Sequence, residues 1–110
     1  MNKLLPIETL QIDIPNSPPI PTKNINLIEG VLVNAPGKTD SQNLTGSILE
    51  MFSTYGNNKS IILTETQWDH INKALKNHVW PFYSKAIMNF VNQFEKLEEC
   101  DPNKPITSGE

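Results

Sequence analysis

Arginine is absent from this 110-residue chain, cysteine occurs once, and the five glycines stand apart from one another. Each scarcity removes a class of function. Without a planar guanidinium fork the chain lacks the bidentate reader of phosphate and guanine. Its nine lysines face twelve acids, for a formal net charge of −3, so nucleic acid is not an expected partner. The single Cys100 makes no internal disulfide, which excludes a disulfide-stapled module. Gly30, Gly37, Gly46, Gly56 and Gly109 form neither a phosphate-cradling loop nor a dinucleotide-binding turn. No apolar run nears the roughly 20 residues that span a bilayer. The opening Met1-Asn2-Lys3-Leu4-Leu5-Pro6 has no apolar stretch of secretory length, so neither a signal peptide nor membrane association is expected.

What is present fits one small domain. The 37% hydrophobic fraction supports a single modest core. A chain of this size buries only roughly two-thirds of the surface its unfolded form exposes, so partner contacts can matter for its stability. Thirteen asparagines and the exclusive use of lysine match the codon usage of an AT-rich genome better than a specialised surface.

Candidate chemistry is sparse. His70 and His78 are the only histidines, and eight positions along one helix separate them by about 12 Å. With one cysteine and no clustered acids, a metal site lacks its further ligands, and no metal or other cofactor is expected. Cys100 lies beside Glu98, Glu99 and Asp101, and neighbouring negative charge raises a thiol's pKa and weakens it as a nucleophile. The acidic end formed by Glu95, Glu98, Glu99 and Asp101 reads as a solvated face, with attraction of a basic partner as the functional alternative. No acid, base and nucleophile stand together, so no catalytic residue is assigned and the chain is not read as an enzyme.

Leu10, Ile12 and Ile14 alternate with polar residues, the period of a short half-buried strand. Four prolines at 15, 18, 19 and 21 follow, and they point to an extended, polyproline-like connector. Leu27, Val31 and Val33 on one side, with Ile28 and Leu32 on the other, predict a strand over residues 26–34, closed by a turn at Pro36-Gly37. Leu44, Ile48, Leu49 and Phe52 predict a short helix over 44–54, capped by Asn43 or Thr45 and ended by a left-handed Gly56. A second strand is expected over 60–63.

The strongest local signal is Thr64-Glu65-Thr66-Gln67, a reciprocal capping box. Behind it Trp68, Ile71, Leu75 and Val79 make one apolar stripe, with Asp69 and Lys73 paired across a turn. Pro81 biases Trp80 out of the helix and is expected to open the next one. On that helix Tyr83, Ile87, Phe90, Phe94 and Leu97 form a stripe, widened by Ala86 and Val91.

From residue 27 to 98, the order is a strand with a glycine turn, a short helix opened by Leu44-Thr45 and a strand into Leu63-Thr64 with Glu65 in the next first turn. A proline-linked helix pair follows. This order resembles small uncharacterised proteins of tailed phages and prophages. The chain departs from them in its brief segment after the short helix, and in Trp80-Pro81-Phe82 where they carry paired prolines and small aliphatics. The resemblance implies a viral or prophage context and transfers no catalytic residue.

The fold expected is α+β: a small two- or three-stranded sheet or hairpin packed by three helices, with a mostly α fold as the alternative. Residues 1–22 are expected to be a proline-rich flexible arm, 23–100 the globular domain and 101–110 a disordered tail. The function expected is a non-catalytic protein–protein interaction module of phage or prophage origin, either an accessory particle or assembly component or a host-directed inhibitor. Its place is then the host cytoplasm or the virion. Its partner is another viral or host protein, with a homo-oligomer as a further option. Trp80, Phe82, Tyr83, Ile87, Phe90, Phe94 and Leu97 are the candidate interface. A small DNA-associated transcriptional regulator, built on the helix pair around Pro81, is the alternative.

Overall fold

The computed structural model describes residues 2–80, 82–97 and 99–100. The chain runs β1 (Asn2–Pro6), β2 (Thr9–Ile12), β3 (Ile20–Lys23), α1 (Asn24–Asn34), α2 (Thr39–Tyr55), β4 (Ser60–Leu63), α3 (Glu65–Asn77), α4 (Lys85–Glu95) and β5 (Glu99–Cys100). The fold is α+β, as expected, with one more helix than the sequence pattern suggests.

Two antiparallel sheets carry the strands. One has the order β4–β1–β5, and the other pairs β2 with β3. In the first, Leu5 lies opposite Ile61 and Lys3 opposite Leu63. Leu5, Ile61 and Leu63 are buried, so this sheet contributes one apolar face to the core. The arm expected over residues 1–22 therefore belongs to the packed structure. Its first strand is the central one and Ile12 of its second is buried. Among its described residues, 7–8 and the proline-rich link between β2 and β3 are irregular.

That link turns back at Ile14-Pro15-Asn16-Ser17, where Ser17 N–H donates to the Ile14 carbonyl at 3.2 Å. Pro15 supplies a fixed φ, and Asn16 takes a positive φ of 63°, the pattern of a type II turn. Pro21, opposite Gln11, is tolerated because β3 has a partner on one side only. The prolines shape a hairpin rather than a free connector.

The strand expected over residues 26–34 is a helix. Ile25, Ile28, Val31 and Leu32 are buried at helical spacing, while Val33 is 64% exposed. A strand would have put Val33 on the same face as Val31. Branched side chains favour strands only weakly, and packing against the other helices decides the outcome.

The next helix, α2, opens at Thr39, earlier than expected, with Lys38 at its N-cap and no side-chain cap. Thr45, Ile48 and Phe52 face inward. Gly56 is right-handed, with φ of −64°, so its glycine answers to space rather than handedness. A Cβ there would stand 2.6 Å from the Phe52 carbonyl oxygen and 3.2 Å from Ile25 Cδ1.

The predicted capping box is present in full: Gln67 N–H donates to Thr64 Oγ1 at 3.1 Å, and Thr64 N–H to Gln67 Oε1 at 3.0 Å. The helix it opens ends at Asn77, so Val79 lies beyond it and is 88% exposed instead of closing the stripe. The Asp69–Lys73 pair forms at 2.9 Å. The last helix opens at Lys85, capped by Ser84, and ends at Glu95, so Tyr83 and Leu97 are not on it. Pro81 and residues 101–110 lie outside the described residues.

One polar residue at the centre ties the pieces together. Asn24, only 1% exposed, donates from Nδ2 to the Pro6 carbonyl at 2.7 Å. Its Oδ1 accepts from Glu8 N–H at 3.2 Å, and its own N–H donates to the Glu8 carbonyl at 2.9 Å. Replacing it with Ala leaves the Pro6 carbonyl and Glu8 amide unpaired, at a cost of about 1–3 kcal/mol. Urea unfolding of Asn24→Ala should show a lower midpoint with an unchanged slope. Deleting residues 1–8 should abolish the cooperative transition. A deleted chain that unfolds like the intact one would show that the core closes without β1.

Candidate functional site

Between α3 and α4 the chain crosses the surface through His78, Val79, Trp80, Phe82 and Tyr83. His78 is already extended, with ψ of 135°, so the chain has left the helix three residues before Pro81. The His78 and Trp80 rings meet edge to face, with centroids 4.4 Å apart. Trp80 and Phe82 are half-buried against the core, whereas Tyr83 is 75% exposed.

The seven candidate interface residues thus divide. Ile87, Phe90 and Phe94 are buried in the core, at 3%, 5% and 0% exposure. Phe94 is fixed from one side by Trp68, whose ring stacks on it at 6.4 Å and whose indole N–H donates to the Phe94 carbonyl at 2.9 Å. Leu97 packs at the core's margin, while Trp80, Phe82 and Tyr83 stay together in the connection. Val79 belongs with them. The sequence pattern places it on the α3 stripe because its spacing fits, and the proline two residues on was the signal that the helix stops first.

Two adjoining clefts flank this connection. A cleft of about 350 Å³ is lined by Ile12, Leu27, Val31, Trp80, Phe82 and Ile87, with Gly30 in its wall. A larger one of about 500 Å³ includes Ser41, His70, Lys73, Ala74 and Val79. Val31, Asn34 and His78 line both. Leu27, Val31 and Asn34 lie along one stripe of α1, and a Cβ at Gly30 would meet nothing within 4 Å.

The larger cleft holds the polar groups. His70 and His78, expected to be far apart on one helix, share it because the chain leaves α3 at His78. His70 Nε2 lies 2.9 Å from Thr45 Oγ1. Burial pushes its pKa below the ordinary 6.5, and the neighbouring Asp69 carboxylate counters part of that shift. Asp69 itself is paired with Lys73 on the same helix. Among the described residues no three of His, Cys, Asp and Glu gather as metal ligands.

The acidic helix end is dispersed by pairing. Glu95 bonds Lys76, and Glu99 lies 3.5 Å from Lys3, whose ammonium sits 4.7 Å from the Trp68 ring centroid. Glu98 and Asp101 lie outside the described residues. Among the described residues no helix is long and apolar enough to cross a membrane. Comparison with protein-family models, curated proteins and solved structures finds no match to the chain.

The lowered pKa of His70 fixes the sign of a pH effect. Below pH 6.5 the unfolded chain takes up a proton that the folded chain resists. The stability held above that pH is therefore lost as the pH falls towards the folded-state value. Urea midpoints at pH about 7.5 and about 5.5 should differ less for His70→Gln, which hydrogen-bonds without titrating, than for the wild type. Equal pH dependence in the two proteins would show that other groups govern it.

Proposed function

We propose that this protein is a non-catalytic protein–protein interaction module of phage or prophage origin, acting in the host cytoplasm or the virion. Its working surface is the connection that carries Val79, Trp80, Phe82 and Tyr83. The observation that supports this is the exposure of Val79 and Tyr83, at 88% and 75%, on either side of two half-buried aromatics and beside an apolar cleft. Each large apolar side chain left in water forgoes roughly 1.5–3 kcal/mol of burial, and contiguous patches of them mark interfaces. Phage or prophage origin rests on the sequence resemblance alone.

The regulator reading has less behind it. A helix-turn-helix joins its helices by a turn of about three or four residues, whereas residues 78–84 separate α3 from α4. The second helix has Lys85 at its start and no arginine anywhere to reach phosphate.

A photo-reactive amino acid placed at position 79 or 83, in cells that carry the protein, tests the proposal. Adducts to one discrete protein are expected from both positions and not from a control at the 49%-exposed Tyr55, which ends α2 and lines neither cleft. A particle protein as the adduct would mark an assembly component, and a host protein an inhibitor. Adducts from position 55 alone would overturn the assignment of the surface. Duplex DNA binding tighter than about 10⁻⁶ M at physiological salt would favour the regulator.

A further inference from the structure

We propose that the same surface pairs with a second copy of this chain about a two-fold axis, each Val79 entering the apolar cleft of the other. The inference rests on the interaction-module proposal and names one partner for it.

A two-fold interface must be self-complementary, so projection and hollow have to lie on one patch. This patch has both. Val79 and Tyr83 project, and the residues between them in the connection, Trp80 and Phe82, line the hollow together with Leu27 and Val31. Gly30 leaves that hollow open where a side chain would otherwise project.

Charge favours a second copy over a charged partner. Two chains of net charge −3 repel one another over most of their surface. Near a two-fold axis each residue approaches its own copy, so any charge there would meet its like. The smaller cleft is lined by no charged residue, and in the larger one Lys73 is held by Asp69 at 2.9 Å. An acidic or basic side chain would find nothing in the smaller cleft to complement it.

Sedimentation equilibrium of the full chain from about 1 to about 100 µM, the range in which weak dimers form, reads the result directly. The mass should rise from 12.4 kDa towards twice that value. Val79→Glu and Tyr83→Glu should stay at the lower mass. Gly30→Leu should do the same by filling the cleft, with thermal melting used to show that each variant is folded. Tyr55→Glu should associate like the wild type. A wild type that stays at 12.4 kDa throughout overturns the pairing, as does association that survives in all three cleft and connection variants. If the wild type is monomeric yet position 79 still yields an adduct to a different protein, self-pairing falls and the interaction-module proposal stands.

Discussion

The fold depends on a joint that few side chains can make. At residues 7 and 8 the chain leaves the three-stranded sheet and enters the two-stranded one. A change of sheet interrupts both ladders and leaves backbone polar groups that must find partners outside them. The joint offers a carbonyl at Pro6 and an N–H at Glu8, and a primary amide carries both a donor and an acceptor. Asn24 supplies both from one buried position. It is also the first residue of α1, whose opening N–H groups have no partner inside the helix. Its own N–H is therefore free to reach the Glu8 carbonyl, and the sheet caps the helix.

With that joint closed, the rest of the core follows from few further contacts. Leu5 from the central strand and Leu63 beside it complete a core with Ile28, Leu32, Ile71 and Phe94, all at 0–1% exposure. Trp68 bridges the two C-terminal helices by stacking on the Phe94 ring and bonding its carbonyl. It holds α4 against the first turns of α3, and Lys76 in the last turn of α3 adds a second tie through Glu95.

Legibility in the sequence followed the range of the interactions. The Thr64–Gln67 box, the Asp69–Lys73 pair and the strand at Ser60–Leu63 are local, and spacing alone reveals them. Residues 26–34 were not legible, because alternate and helical spacing both fit Leu27, Ile28, Val31 and Leu32. Only the wet Val33 distinguishes them, and its exposure depends on helices distant in sequence. Leu4-Leu5 carries no alternation to mark a central strand. Asn24 is one asparagine among thirteen, and its role comes from Pro6 and Glu8, which no short-range pattern connects to it.

The candidate surface shows the same division within a single stripe. Tyr83, Ile87, Phe90, Phe94 and Leu97 share one helical periodicity, yet only the middle three are buried. The difference is where the helix begins. Ser84, 1% exposed, accepts the Ile87 N–H through Oγ at 3.4 Å and so sets the first turn. Everything before it is freed from the helical register, and Tyr83 turns to solvent. A cap thus decides which aromatics belong to the core and which are left for a partner. Periodicity identifies a stripe of apolar residues, but the positions of its caps determine how much of that stripe the protein can bury by itself.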